Sequence, residues 1–374
     1  MEPPATERVR NLTAGELDWT YVLEVCRRHG VGPLLYRSLK IIGQHAAPPS
    51  VMKQLQEHFY LSLAHNLRLE AELTALLGHF RTHGIRAIPF KGPALATFAY
   101  GDLALRVFGD LDIFIQKENI QRALEMMISL GYRPDFHLES KQLAGYLDTF
   151  YEVSFNGIGK APVEIHWELY ADHFAFPVAP LSLWHDEAED RSESTYRSVP
   201  PEKLFLMLCV HGTQHYWGRL SWICDMAELL RKQPDFDWGG LLSLATEAGG
   251  QRMLFLGLSL AHGLLDAPVP DEILHRIERD RRVKECAQTV RSRLFDHAEA
   301  PPSVLGTCVF YVKMRERLRD KARVCFRTFS RPIPGEWDQL GLDGFWARFG
   351  NVIRHVLMSF SYGLGLARQR LRTR

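Results

Sequence analysis

Asp110 and Asp112 lie one residue apart at the start of an apolar run that ends at Ile115, and no other feature constrains the chain as tightly. In a strand, residues i and i+2 point to the same face. The two aspartates therefore project side by side, while Leu111 and Ile113 face the other way. Like charges this close repel and raise each other's pKa unless a cation sits between them. The usual cation is a hard divalent metal with oxygen ligands, and Mg²⁺ typically brings phosphates with it. Upstream, Phe90-Lys91-Gly92-Pro93 closes an apolar strand (Ile85, Ala87, Ile88) and opens a short helical segment. Such a junction can present backbone N–H groups and a lysine to a phosphate.

At 374 residues the chain can bury a large core and hold two domains. Its net charge of +1 provides no whole-molecule field to recruit nucleic acid. Six cysteines are scattered with no C-x-x-C pair, which argues against a zinc knuckle or disulfide scaffold and suits a reducing cytosol. The N-terminus lacks the apolar segment of a signal peptide, and no run is long enough to span a membrane, so the expected location is cytoplasmic.

Organisation follows the hydrophobic period. Residues 16–83 read as helical, with Leu55, Phe59, Leu63, Leu67, Leu73, Leu76, Leu77 and Phe80 mostly three or four apart, and Ala47-Pro48-Pro49-Ser50 breaking one helix from the next. Residues 85–170 alternate: strand 85–90, helix 93–100, strand 111–115, helix 119–130 ended by Gly131, then strands 151–155 and 161–167 around Asn156-Gly157. From Pro200 to about Arg327 the pattern is all-helical, and the acidic stretch from Asp186 to Glu193 reads as surface near the boundary. The division expected is 1–83 helical, 84–195 α/β core, 196–330 helical domain and 331–374 tail.

The combination Lys91-Gly92, Tyr100-Gly101, Arg106, Gly109-Asp110-Leu111-Asp112 and Val163-Glu164-Ile165-His166-Trp167 resembles the bacterial nucleotidyltransferase family NTP_transf_5, within the DNA polymerase β-like superfamily. The likeness continues through His211-Gly212, His215-Tyr216-Trp217 and Trp222-Ile223-Cys224-Asp225. It implies an α+β fold: a mixed-sheet nucleotidyltransferase core, N-terminal helices and a C-terminal helical domain closing a cleft. It implies transfer of a nucleoside monophosphate from a triphosphate, with ATP as donor and Mg²⁺ or Mn²⁺ as cofactor, to a small molecule, peptide or glycan precursor. LicD-like transfer of a phosphoryl group to a glycan precursor, or nucleotide binding without turnover, are the alternatives on the same fold.

Two-metal phosphoryl chemistry needs carboxylates converging from neighbouring strands. Asp110 and Asp112 supply two, and the resemblance places Glu164 as the third, either as a metal ligand or as the base for the acceptor. His166 shares the face of Glu164; the pair could equally form a solvated strand face, since a strand histidine often only satisfies a hydrogen bond. Lys91, Gly92 and Gly109 are phosphate-side candidates. Pro93 replaces a residue that would donate an N–H, and Lys91 offers a point charge instead. Arg106 either grips phosphate bidentately or pairs with Asp102 or Asp110. His211 and His215 stand four apart on one helix face, a zinc-compatible spacing, but without the glutamate of H-E-x-x-H. The resemblance places them with Asp225 opposite the metals, where they would contact nucleotide or acceptor; a packed helix interface is the other reading.

After Asp343 the chain carries no acid, and Arg348, Arg354, Arg368, Arg370, Arg372 and Arg374 interleave with apolar residues. Such a basic amphipathic helix either lies on the inner membrane surface or docks on its own protein. Walker, dinucleotide-binding and G-x-S-x-G motifs are absent.

Overall fold

The computed structural model describes residues 3–43, 46–135, 146–147, 150–168, 183, 199–295 and 303–330. The acidic stretch 186–193 and the tail 331–374 lie outside the described residues.

Four helices come first: α1 (Pro3–Thr13), α2 (Trp19–His29), α3 (Gly32–Ile42) and α4 (Pro49–Thr82). Asp18 caps α2 by accepting from the Tyr21 N–H at 3.0 Å, and Gly30 ends it with φ +67°. The 34 residues of α4 span about 50 Å. Its N-terminal half, through Val51 and Leu55, packs on Tyr36 and Leu39 of α3. Its C-terminal half buries Leu69, Leu73, Leu76 and Phe80 against the sheet. The buried stripe therefore runs through Leu69, and Leu67, expected on it, is 51% exposed. Asn66 is buried because its side-chain amide donates to the carbonyls of Leu103 (2.6 Å) and Arg106 (2.8 Å).

The sheet has strands β1 (Ala87–Pro89), β2 (Leu111–Ile115), β3 (Arg133–Pro134), β4 (Glu152–Asn156) and β5 (Val163–His166) in the order β1-β2-β5-β4-β3. Among the described strands only β2 and β5 run parallel; the other neighbours are antiparallel. The alternation at 111–115 predicts β2 with its observed bounds. β1 is shorter than expected, which fits an edge strand containing Pro89, a residue with no N–H to donate. The two-residue β3, beyond Gly131, carries too little pattern to be read.

Helix α5 (Gly92–Leu95) continues as a wider π-turn over Ala96–Tyr100, so the helix expected at 93–100 changes its pitch midway. Helix α6 (Ile120–Ser129) follows β2. Leu111, Ile113, Ile115, Val153, Phe155, Val163 and Ile165 form the face that packs on α4 and α6. The opposite face contributes Ile88, Phe90 and Phe114 to a second, larger core. This is the division that the alternation around Asp112 demands: apolar side inward, charged side toward the second set of helices.

That second core is built by α7 (Pro201–Gln214), α8 (Leu220–Lys232), α9 (Trp238–Ala248), α10 (Gln251–Leu265), α11 (Asp271–Arg279), α12 (Arg281–Phe295), α13 (Val304–Met314) and α14 (Leu318–Ser330). Helix α10 is buried on nearly all sides from Met253 to Ala261 and is the central element. Trp217, fully buried, is wedged beside α7 by two left-handed residues, Tyr216 (φ 55°) and Trp217 itself (φ 52°). Gly212 makes room for it, since a Cβ there would lie 2.7 Å from the indole. Helix α8 packs against the Ala96–Tyr100 turn and so joins the helical half to the loop ahead of β2. No helix among the described residues is long and apolar enough to cross a membrane.

Candidate active site

The turn between β1 and α5 brings Lys91 onto the carboxylates. Gly92 takes φ +53°, and a Cβ there would sit 3.2 Å from the Asp110 carbonyl oxygen, so the close approach of the two backbones requires glycine. Lys91 Nζ donates to Asp112 Oδ1 at 2.9 Å, with only 15% of the lysine side chain exposed. Burial alone would favour neutral lysine. The charges of Asp112, Glu164 and Asp110 outweigh it and hold the ammonium protonated, above its usual range.

Parallel pairing sets Asp112 directly opposite Glu164, and antiparallel pairing sets Glu152 opposite His166. His166 is therefore ringed by acids: Nε2 lies 3.3 Å from Asp112 Oδ1 and 3.6 Å from Glu164 Oε2, and Nδ1 lies 3.2 Å from Glu152 Oε2. Donor atoms of Asp112, Glu164 and His166 all lie within 4.8 Å of one another. His166 is 2% exposed, so the solvated strand face considered for it is not what forms. Burial pushes its pKa down, but the surrounding carboxylates more than offset this and raise it to about 9. Burial also opposes ionisation of Asp112, yet Lys91 and His166 hold its carboxyl far below the usual range.

Asp110 precedes β2 on the same face and is not one of the three clustered donors. Burial, then the charges of Asp112 and Glu164, push its carboxyl up to about 6 against the opposing pull of Lys91 and Arg106. Glu152 is also raised, first by burial, with Glu164 adding to it and His166 opposing. A dication among these groups would relieve the repulsion that Lys91 and His166 relieve here.

Helices α7 and α8 bring a histidine pair and a tryptophan together. The rings of His211 and His215 are 4.5 Å apart, and both lie against Trp222, at 5.3 and 5.5 Å. Burial and the nearby Lys91 keep His211 neutral, well below its ordinary value. His215 is exposed, yet partial desolvation and the nearby Lys91 lower its pKa to about 4. These same effects of Lys91, with those of Asp112 on His211 and Glu164 on His215, place the histidine pair within electrostatic reach of the carboxylates.

Arg106 pairs with neither Asp102 nor Asp110, the partners weighed for it as the alternative to a phosphate contact. Its Nε and Nη2 donate to the two carboxylate oxygens of Asp225 on α8 at 2.9 and 3.1 Å, and the Tyr100 hydroxyl donates to the same carboxylate at 2.8 Å. Asp102 instead caps the turn at Leu103–Leu105 by accepting from the Ala104 N–H. Asp225 is 1% exposed and is used up by Arg106 and Tyr100, so it contacts these rather than facing the cleft as a free acid. Arg106 Nη1 has no hydrogen-bond partner among the described residues. Gly109 is exposed, with open space where a side chain would stand.

Glu152 escapes a reading of the sequence. The alternation Glu152-Val153-Ser154-Phe155 puts it on the polar face, but its pairing with His166 depends on a register set by the loop 157–162, which no local pattern specifies.

A small mixed sheet that presents carboxylates from adjacent parallel strands, with helices packed on both faces, fits an α+β nucleotidyltransferase fold. The sequence profile of the family described as uncharacterised nucleotidyltransferase matches residues 15–266, more than half the chain, and the chain belongs to that family. It is accordingly a transferase enzyme. No curated protein matches the chain. No solved structure matches it either.

Proposed function

We propose that the chain transfers a nucleoside monophosphate from a nucleoside triphosphate, ATP being the first candidate, to an acceptor hydroxyl or amine with release of pyrophosphate. The observation that carries this reading is Asp112 facing Glu164 across parallel strands, with Asp110 beside them and Lys91 held between. The carboxylate oxygens of Asp112 and Glu164 are chemically suited to Mg²⁺ or Mn²⁺ and lie close enough to share one ion. Asp110, Asp112 and Glu164 would hold it. When bound, the dication supplies charge stabilisation at the attacking and leaving oxygens.

The remaining work falls to the chain's own side chains. Lys91, released from Asp112, would bind the triphosphate at the Gly92 turn, where Pro93 removes one backbone donor. Arg106 would contribute through Nη1, the guanidinium nitrogen that makes no hydrogen bond among the described residues. Glu164 would take the proton from the acceptor as its oxygen or nitrogen bonds to the α-phosphorus, while the bond from that phosphorus to the bridging oxygen breaks. His211, His215 and Trp222 would supply an aromatic wall for the base.

Calorimetric titration of each Mg-NTP and Mn-NTP into wild type and into the Asp110→Asn/Asp112→Asn variant tests this. Metal-dependent binding in wild type that the variant loses is the expected result. A folded wild type that binds no triphosphate overturns the proposal. Mass-shift analysis of small-molecule, peptide and glycan-precursor pools incubated with the donor then identifies the acceptor class.

A further inference from the structure

His166 has the surroundings of a metal ligand rather than of a simple ion-pair partner. Both ring nitrogens are buried, and both lie near carboxylate oxygens, yet neither makes an aligned hydrogen bond among the described residues. A histidine retained only as a charged donor would be expected to align its N–H groups on its acceptors. Here Nε2 points into the space shared with Asp112 and Glu164, while Nδ1 is left to Glu152. A carboxylate behind one nitrogen, with the other directed at a donor cluster, is the recurrent arrangement of metal-bound imidazole; it fixes the tautomer and the ring plane.

The spacing agrees. Ligands that surround one ion at about 2.0–2.2 Å lie no more than roughly 4.4 Å apart, and the three donor atoms are within 4.8 Å of one another before any ion draws them in. The ring is also held from its sides. Phe90 meets it edge-on at 5.2 Å, and Phe114 is its neighbour across the parallel pair.

We propose that His166 Nε2 is a direct ligand of the site's dication together with Asp112 and Glu164, that Glu152 orients it through Nδ1, and that the site selects a transition dication such as Mn²⁺ over Mg²⁺. The inference rests on the nucleotidyltransferase reading only in placing a dication at this cluster. Imidazole is a good ligand for first-row transition ions, whereas Mg²⁺ favours oxygen ligands and keeps its waters. Binding displaces the proton at Nε2, and the Nδ1–H turns to Glu152 as its acceptor. Lys91 must also leave Asp112, so the ion competes with an internal ammonium.

The test uses Mn²⁺ alone with the full chain, without nucleotide. Electron spin-echo spectroscopy of the bound ion should show the ¹⁴N coupling of directly coordinated imidazole. That coupling should vanish in His166→Gln. Glu152→Gln should keep it but weaken Mn²⁺ binding by about 10- to 100-fold, as loss of an orienting carboxylate does. Mg²⁺ should displace Mn²⁺ only at about tenfold or greater excess. Bound Mn²⁺ without ¹⁴N coupling overturns the inference while leaving the carboxylate reading intact, since the triphosphate titration is read separately. Absence of Mn²⁺ binding to the folded wild type overturns it as well. The wild-type spectrum decides the point even if a variant fails to fold.

Discussion

Arg106, ahead of β2, and Asp225, on α8, share two hydrogen bonds of 2.9 and 3.1 Å in a setting nearly closed to solvent. The pair ties the loop that leads into the carboxylates to α8, the helix that carries Trp222 beside the histidine pair, and the Tyr100 hydroxyl joins the same carboxylate. Breaking a buried pair from one side strands the other charge. Arg106→Met should lower stability by about 3–5 kcal/mol in urea unfolding. The double variant Arg106→Met/Asp225→Leu should recover much of that loss. If the single and double variants lose stability equally, the pair has no special role.

Lys91 acts as the internal counter-ion of the carboxylates, with Nζ 2.9 Å from Asp112. Lys91→Met should destabilise the protein by roughly 2–4 kcal/mol in chelator, because burial then opposes the uncompensated acids. Added Mn²⁺ at about a hundredfold over its Kd should return ~2.7 kcal/mol. Thermal scans with and without Mn²⁺ check this: the rise in Tm should be larger for the variant than for wild type, and an equal rise would count against the counter-ion role.

His29 sets a pH dependence of stability. The Leu220 N–H donates to its Nδ1 at 3.2 Å, so the proton resides on Nε2, which donates to the Leu294 carbonyl at 2.8 Å. The neutral ring thus pins α2 to α8 and α12, and protonation would destroy its acceptor. Burial lowers the pKa, the Leu294 contact opposes this, and Arg28 and Arg219 lower it further. The folded value lies below the unfolded one of about 6.5, so the unfolded chain binds more protons between them. Stability is fully present above the unfolded value and falls as the pH drops through it. Urea midpoints should therefore decline between about pH 7.5 and about pH 5.5, and His29→Asn should flatten that decline. An unchanged slope would assign it to other groups.

Gly212 is a packing requirement imposed by Trp217. A methyl group there would meet the indole at 2.7 Å, and the far edge of the same ring is 3.2 Å from the corresponding position at Gly257. Gly212→Ala should cost about 1–3 kcal/mol by overpacking. Fluorescence of the fully buried Trp217 should move toward that of an exposed indole as the ring is displaced. Wild-type stability with an unchanged spectrum would show that α7 yields easily.

The chain's local rules were open to a reader of the sequence. The period-two alternation from Leu111 to Ile115 marks β2 and its charged face, Pro48 marks the start of α4, and the pattern beyond Pro200 marks the all-helical half, because each follows from repeat distance and local signals within one element. Partnerships between elements were not open in this way. The facing of Asp112 and Glu164, the arrival of Glu152 behind His166, and the choice by Arg106 of Asp225 over the nearer Asp102 and Asp110 depend on register and on which helix covers which face. Those are decided when separate hydrophobic stripes are buried together, and a strand shifted by one residue would turn every one of these side chains to the other side. Sequence alone determined which residues carry charge on which face; the tertiary structure alone decided which charges meet.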